Sequence, residues 1–135
     1  MIVADSHALA YLTIRSEFSA LAEAVFAVDA SWAAPLLWLS EYRSTLAKYL
    51  QRRGMTMESA LLSLRSAEEV IGGREYKVSS EKVLELVKNS GCTAYDCEYV
   101  ALAQDLKVPL VTPDKQLLRA FPKTAVALEK FARKR

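Results

Sequence analysis

A single histidine, His7, is all the imidazole in the chain. Triad catalysis therefore has no support, and His7 reads as a packed or exposed residue of a first helical turn, with contact to a substrate or a metal shell as the lesser alternative. Cysteine is almost as scarce. Cys92 and Cys97 stand five residues apart, match no zinc-ligand spacing and would not share a helix face, so they read as reduced, packed thiols. The four glycines form no phosphate-cradling loop; Gly72-Gly73 reads as a helix stop. No apolar run approaches the roughly 20 residues that span a bilayer. No basic segment precedes Ile2-Val3-Ala4, so a cytoplasmic protein without membrane attachment is expected. Neither sign of charge dominates. Eighteen Lys and Arg against 16 Asp and Glu give a net charge of +2, although Arg52-Arg53 and Arg133-Lys134-Arg135 are basic clusters. Nucleic acid is allowed by this balance and not demanded.

What is present fits one domain over residues 1–135, with 52% hydrophobic residues to fill a core and leave a surplus for a partner surface. Ile2-Val3-Ala4 reads as a strand, and Asp5-Ser6 as a helix start leading into Ala8, Leu9 and Leu12. A helix over 17–30 leads to a second strand at 31–35. Leu36 to Arg53 carries Trp38, Leu39, Tyr42, Leu46, Tyr49 and Leu50 on one helical face, with Gly54 as its stop. Thr56 opens a further helix ended by Gly72-Gly73, a weakly marked strand follows at 75–78, and Ser79-Ser80 starts the next helix. Tyr95, Tyr99, Leu102 and Leu106 then repeat at helical spacing, Lys107 closes that helix, and 108–112 reads as a buried strand. A short helix to Phe121, a strand at 124–127 and a basic helical tail from Leu128 complete the chain. Strands alternating with helices predict an α/β domain, a parallel sheet with helices on both faces.

Four acids stand out against this pattern. Asp5 and Asp114 each follow a strand, adjacent strands if the first and fourth pair; Asp96 starts the helix that runs back beside the fourth strand. Glu41 lies near the start of its helix, about 60° from Trp38 at about 100° per residue, at the boundary of the apolar face. Singly, each has a structural explanation: Asp5 caps a helix, Asp96 is the fourth residue of a Thr93-x-x-Asp capping pattern, Asp114 suits a first turn, and Glu41 is solvated. Together they repel, and capping does not require them to converge. A hard divalent cation such as Mg²⁺ or Mn²⁺ would compensate that charge, which suggests phosphate-ester chemistry. Arg43, Lys48, Arg52, Arg53 and Lys115 are candidates for nucleic-acid backbone contacts. The aromatic residues read as core and dimer packing, not base stacking.

Four pieces of the chain then resemble one family: Ile2-Val3-Ala4-Asp5-Ser6; Ser40-Glu41; Thr93 to Ala103, with Asp96; and Leu110-Val111-Thr112-Pro113-Asp114-Lys115-Gln116-Leu117. In this order and spacing they resemble the PIN-domain ribonucleases, and within them the VapC toxins of toxin-antitoxin modules. The resemblance implies Asp5, Glu41, Asp96 and Asp114 as an acidic site that binds Mg²⁺ or Mn²⁺ and is catalytic, with Ser6 and Thr112 as supporting hydroxyls. It also implies a PIN-like fold of about five parallel strands with surrounding helices, endonucleolytic cleavage of RNA, a homodimer and a cognate antitoxin partner. Cys97 and Pro113 depart from the family pattern beside the third and fourth acids. An apolar groove between the early helices, including Trp38 and Tyr42, is the expected seat for an amphipathic antitoxin segment. Two other functions compete: a catalytically silent PIN-like module that binds nucleic acid or a protein, and a phosphotransfer enzyme with Asp5 as nucleophile. The latter lacks the second aspartate two residues on, where His7 stands.

Overall fold

A computed structural model describes residues 1–133; Lys134 and Arg135, part of the basic C-terminal cluster, lie outside the described residues. Five parallel strands form one sheet: β1 (Ile2–Ala4), β2 (Trp32–Pro35), β3 (Glu75–Tyr76), β4 (Leu110–Val111) and β5 (Ala125–Val126), in the order β3-β2-β1-β4-β5. All five anticipated strands form, the last three shorter than the sequence suggests. β1 sits centrally because Ile2, Val3 and Ala4 are all apolar and can be buried on both faces. Pro35 is tolerated in an interior strand because the β1 pairing stops at Ala33, leaving no ladder on that side to need its missing N–H.

Among the described residues eight helices cover the sheet: α1 (Ser6–Thr13), α2 (Ser19–Val28), α3 (Trp38–Gln51), α4 (Met57–Ile71), α5 (Ser80–Ser90), α6 (Ala94–Leu106), α7 (Lys115–Ala120) and α8 (Leu128–Ala132). On one side α6 packs on β1, β2 and β4 and against α5; on the other, α1 packs against α2, α3 and α4, α2 against α8, and α4 against β2. The α6 interior is Cys97, Tyr99, Val100, Ala101, Leu102 and Ala103, all buried, and both cysteines are free thiols. Small residues at 101 and 103 let the helix lie close on the sheet.

Chain order places β2 and β3 to one side of β1 and β4 and β5 to the other. The sheet therefore changes winding direction between β1 and β4, where clefts of open parallel sheets form at the strands' carboxyl ends.

Three details differ from the sequence reading. The left-handed residue after α3 is Arg53 (φ 55°), not Gly54, whose N–H instead bonds Tyr49 O at 2.8 Å. Tyr95, on the expected stripe of α6, points outward and is exposed. Trp38 and Tyr42 do not line an open groove. Trp38 is buried with Nε1 donating to Glu75 Oε2 at 3.0 Å, and the Tyr42 hydroxyl bonds both Thr13 Oγ1 (2.7 Å) and Ser63 O (3.0 Å). An aromatic stripe at helical spacing looks the same in a sequence whether α1 and α4 close over it, as here, or a partner does.

Candidate active site

Asp5 is the residue that turns β1 into α1. Its backbone N–H donates to Val111 O (3.1 Å), extending the β1–β4 ladder, and its carboxylate caps the helix by accepting from His7 N at 2.9 Å. The neighbouring strand ends alike. Asp114 follows β4 and caps α7, with Oδ1 accepting from Gln116 N (2.8 Å) and Leu117 N (3.1 Å). Thr112 ties the two junctions together: its hydroxyl, fully buried, donates to Asp5 Oδ2 at 2.6 Å and accepts from Asp114 N at 3.0 Å. The cap that explains each acid locally is also what aims it at the shared strand edge.

Asp96 arrives on the opposite layer. Thr93 caps α6 by accepting from Asp96 N (3.0 Å), which sets Asp96 in the first turn. Burial, and then the charges of Asp114 and Asp5, push the Asp96 carboxyl above its ordinary value; the Thr93 bond opposes this and Glu41 adds to it. Asp96 thus senses all three of the other acids.

Glu41 comes from α3, half-buried, and accepts from the Tyr99 hydroxyl at 2.7 Å. Tyr99 is buried on α6, one turn beyond Asp96. Burial first, and then the Glu41 charge and hydrogen bond and Asp5, drive its phenol pKa upward against an opposing Ser6 hydroxyl, so Tyr99 keeps its proton and acts as a donor. This residue was assigned to packing from its stripe alone. The signal was there, since positions three apart on a helix share a face and Asp96 and Tyr99 are such a pair.

His7 also belongs to the site. Its Nδ1 lies 3.0 Å from Asp5 Oδ1, and its ring is two-thirds exposed, with 66% of the side chain accessible. The Asp5 bond raises its pKa against the cost of burial, with the charges of Asp5, Glu41 and Asp114 adding to the shift. Burial alone would raise Asp5, but hydrogen bonds from His7 and Thr112 and the His7 charge outweigh it and hold the carboxyl below its usual range.

Among the described residues, no three His, Cys, Asp or Glu side chains are arranged as a ready three-ligand metal centre. Asp5, Glu41, Asp96 and Asp114 share one edge of the sheet without forming a closed cage. Mg²⁺ commonly takes one or two carboxylates and completes its shell with water and substrate oxygens, so an open, all-oxygen donor set is of the kind it uses. Asp114 Oδ2 accepts no hydrogen bond among the described residues. Ser6 and Thr112 are both at the site, Thr112 as the bridge. Arg43, Lys48, Arg52, Arg53 and Lys115 are exposed and make no ion pair among the described residues.

No protein-family model matches the chain, and no curated protein matches it. The crystal structure of PAE2754 from Pyrobaculum aerophilum is similar in fold: TM-score 0.73 at 24% identity, over 98% of this chain and 94% of that one.

Proposed function

We propose that this chain is a metal-dependent endoribonuclease of the PIN-domain type, the VapC-like toxin of a type II toxin-antitoxin pair, using Mg²⁺ or Mn²⁺. The observation that carries the proposal is electrostatic. Acids from four separate elements meet where the sheet changes winding direction, and burial, with the charges of the other three acids added to it, pushes the Asp96 carboxyl up. A fold has no structural reason to gather them there at a cost, whereas a cation site does.

Asp5, Glu41, Asp96 and Asp114 would hold the metal. When bound, it would lower the pKa of an attacking water and stabilise charge on the phosphate oxygens. The chain's own groups hold the geometry. Thr112 fixes the spacing of Asp5 and Asp114, Tyr99 anchors Glu41, and His7 holds Asp5 through Nδ1, 3.0 Å from Oδ1. The exposed cations of α3 and Lys115 supply backbone contacts for an RNA strand.

A homodimer and an antitoxin partner belong to the same proposal. Since Trp38 and Tyr42 are core residues, the apolar surface offered to a protein partner is instead that of exposed Met57, Leu61 and Leu62 on α4. No helix among the described residues is long and apolar enough to cross a membrane. The cytoplasm is the proposed compartment.

A second reading, a catalytically silent PIN-like binding module, is favoured by one feature: the Asp5 carboxylate already accepts three hydrogen bonds, as a purely structural cap would. The phosphotransfer reading is weakened by the same bonds and by the 5% exposure of Asp5, which leave it little access to a substrate.

The test is Mn²⁺-dependent cleavage of a mixed pool of structured RNA, beside Asp96→Asn purified identically. Cleavage by the wild type alone, abolished by a chelator, is expected. Equal cleavage by both proteins would signify a contaminating nuclease, and no cleavage by either would return the silent module to first place.

A further inference from the structure

We infer that the cavity at the carboxyl ends of β2 and β3 is a subsite for one unpaired guanine base of the RNA strand, read by the Glu98 carboxylate. The inference rests on the reading of RNA as substrate and extends it to base choice.

The cavity has a volume of about 310 Å³, at the lower end of the range typical of small-ligand pockets. Its walls come from four places. Leu36 follows β2; Tyr76 ends β3, with Lys77 and Val78 just beyond it; Ser80, Val83 and Leu84 lie on α5; and Glu98 lies on α6. The Leu36 N–H bonds Tyr76 O at 3.1 Å, which fixes the two strand ends relative to each other. The walls are thus mainly apolar, suited to the faces of a planar base, with Tyr76 as an aromatic partner of the kind on which single-stranded bases stack.

The polar groups of the cavity have no protein partners. Glu98 and Lys77 line the same space, yet neither side chain makes a hydrogen bond or ion pair among the described residues, and the two do not pair with each other. No fully buried side-chain oxygen or nitrogen lacks a partner among the described residues, so both groups reach solvent and their hydrogen-bonding capacity is open to a ligand in the cavity.

Position links the cavity to the acids. Glu98, two residues beyond Asp96 on α6, points to a different side of that helix, but the Glu41 charge reaches it and the cavity lies at the same carboxyl edge of the sheet as the acid cluster. Neighbouring strands stand about 4.8 Å apart, which sets the β2–β3 cavity roughly 5–10 Å from the end of β1. That is the scale of one nucleotide, not of a remote surface.

Chemistry selects the base. A carboxylate only accepts hydrogen bonds, through two adjacent oxygens. On its Watson–Crick edge guanine presents two adjacent donors, adenine and cytosine one amino group each, and uracil a single N–H between two repelling carbonyls. The order expected is guanine first and uracil last, and Lys77 is placed for the accompanying phosphate.

The experiment titrates metal-free, full-length protein with guanosine, adenosine, cytidine and uridine 5′-monophosphates and follows the backbone amides of Lys77, Val78 and Leu84 by NMR. GMP is expected to shift these amides and to bind at least about fivefold more tightly than UMP, the low end of discrimination by a bidentate contact. Glu98→Gln is expected to bring the two within about twofold of each other. Equal binding of all four nucleotides, GMP preference surviving Glu98→Gln, or shifts confined to other parts of the chain would overturn the subsite. Because no metal is present and Asp96→Asn should keep the discrimination, failure here is separable from failure of the nuclease reading. Cleavage without base discrimination at this position would retain the enzyme and remove the subsite; discrimination without cleavage would do the reverse.

Discussion

The same chemical change, Asp to Asn, should move stability in opposite directions at two acids of this one cluster. Asp5 has its folded-state pKa held below 3.8, so its ionised form stabilises the fold at neutral pH, and that contribution is lost as pH falls through the folded value. Asp96 has its folded-state pKa raised above 3.8, so its ionised form destabilises the fold at pH 7, a cost relieved as pH falls. For Asp5→Asn, the 2.6 Å Thr112 bond and the His7 bond become neutral-acceptor bonds. Hydrogen bonds to charged groups are worth about 1.5–3 kcal/mol against about 0.5–1.5 for neutral ones, so a loss of about 1–2 kcal/mol is expected. For Asp96→Asn, relief of repulsion on a half-buried group, discounted for solvent screening, should gain about 0.5–1 kcal/mol. Urea denaturation at pH 7 in chelator measures both. Saturating Mn²⁺ should then stabilise the wild type by about 2.7 kcal/mol at a hundred times the dissociation constant, and Asp96→Asn by much less. Equal destabilisation by the two substitutions would refute the claim that Asp96 is held against its neighbours' charge. Equal Mn²⁺ stabilisation would refute its place in a cation site.

Three further outcomes are expected. Tyr99→Phe removes the hydroxyl 2.7 Å from Glu41; it should cost about 1–2 kcal/mol in denaturation and, by freeing Glu41, lower cleavage about tenfold. The single histidine gives an unambiguous NMR titration: the His7 midpoint should lie above 6.5, fall back toward it in Asp5→Asn, and drop on adding Mg²⁺. Its pairing with Asp5 stabilises fully below pH 6.5 and is lost as pH rises through the folded value, by less than about 1 kcal/mol for so exposed a ring. Lys107 holds φ 57° at the end of α6, so Lys107→Gly should raise stability by about 0.5–1 kcal/mol in thermal denaturation.

The alternation of strands and helices was readable because each junction carries its own local chemistry. Thr56, Ser79 and Thr93 cap as their positions suggest, and Gly72 takes the left-handed turn after α4. The β1–β4 pairing, which brings Asp5 beside Asp114, stood in the sequence only as a condition, since two strands that each end in an acid at a helix start do not by themselves say which strands are neighbours. What escaped was tertiary. Whether Trp38 and Tyr42 face a groove or a core depends on how α1 and α4 close over α3, which the α3 sequence does not encode. Tyr99 was likewise hidden by its stripe, and His7 stood only as a lesser alternative, because neither sequence position shows which acid its side chain will meet. The groups that hold an acid in place are recognised only after the acid has been located.

Capping and ligation were set against each other as explanations for these aspartates, but the geometry makes them one device. A capping carboxylate spends lone pairs on the first N–H groups of its helix: Asp114 uses Oδ1 twice and leaves Oδ2 without a hydrogen bond among the described residues. The cap removes rotational freedom from the side chain, and the helix start contributes partial positive charge that makes a crowded carboxylate tolerable. Asp5 and Asp114 are therefore oriented before any cation arrives. Asp96 is held differently: Thr93 engages its backbone N–H and offsets only part of the rise in its carboxyl, which burial and the charges of the other acids together drive. The acid least satisfied by the fold is the one on which a bound cation would have most effect, which is why Asp96, rather than the more deeply buried Asp5, is the position at which to test the site.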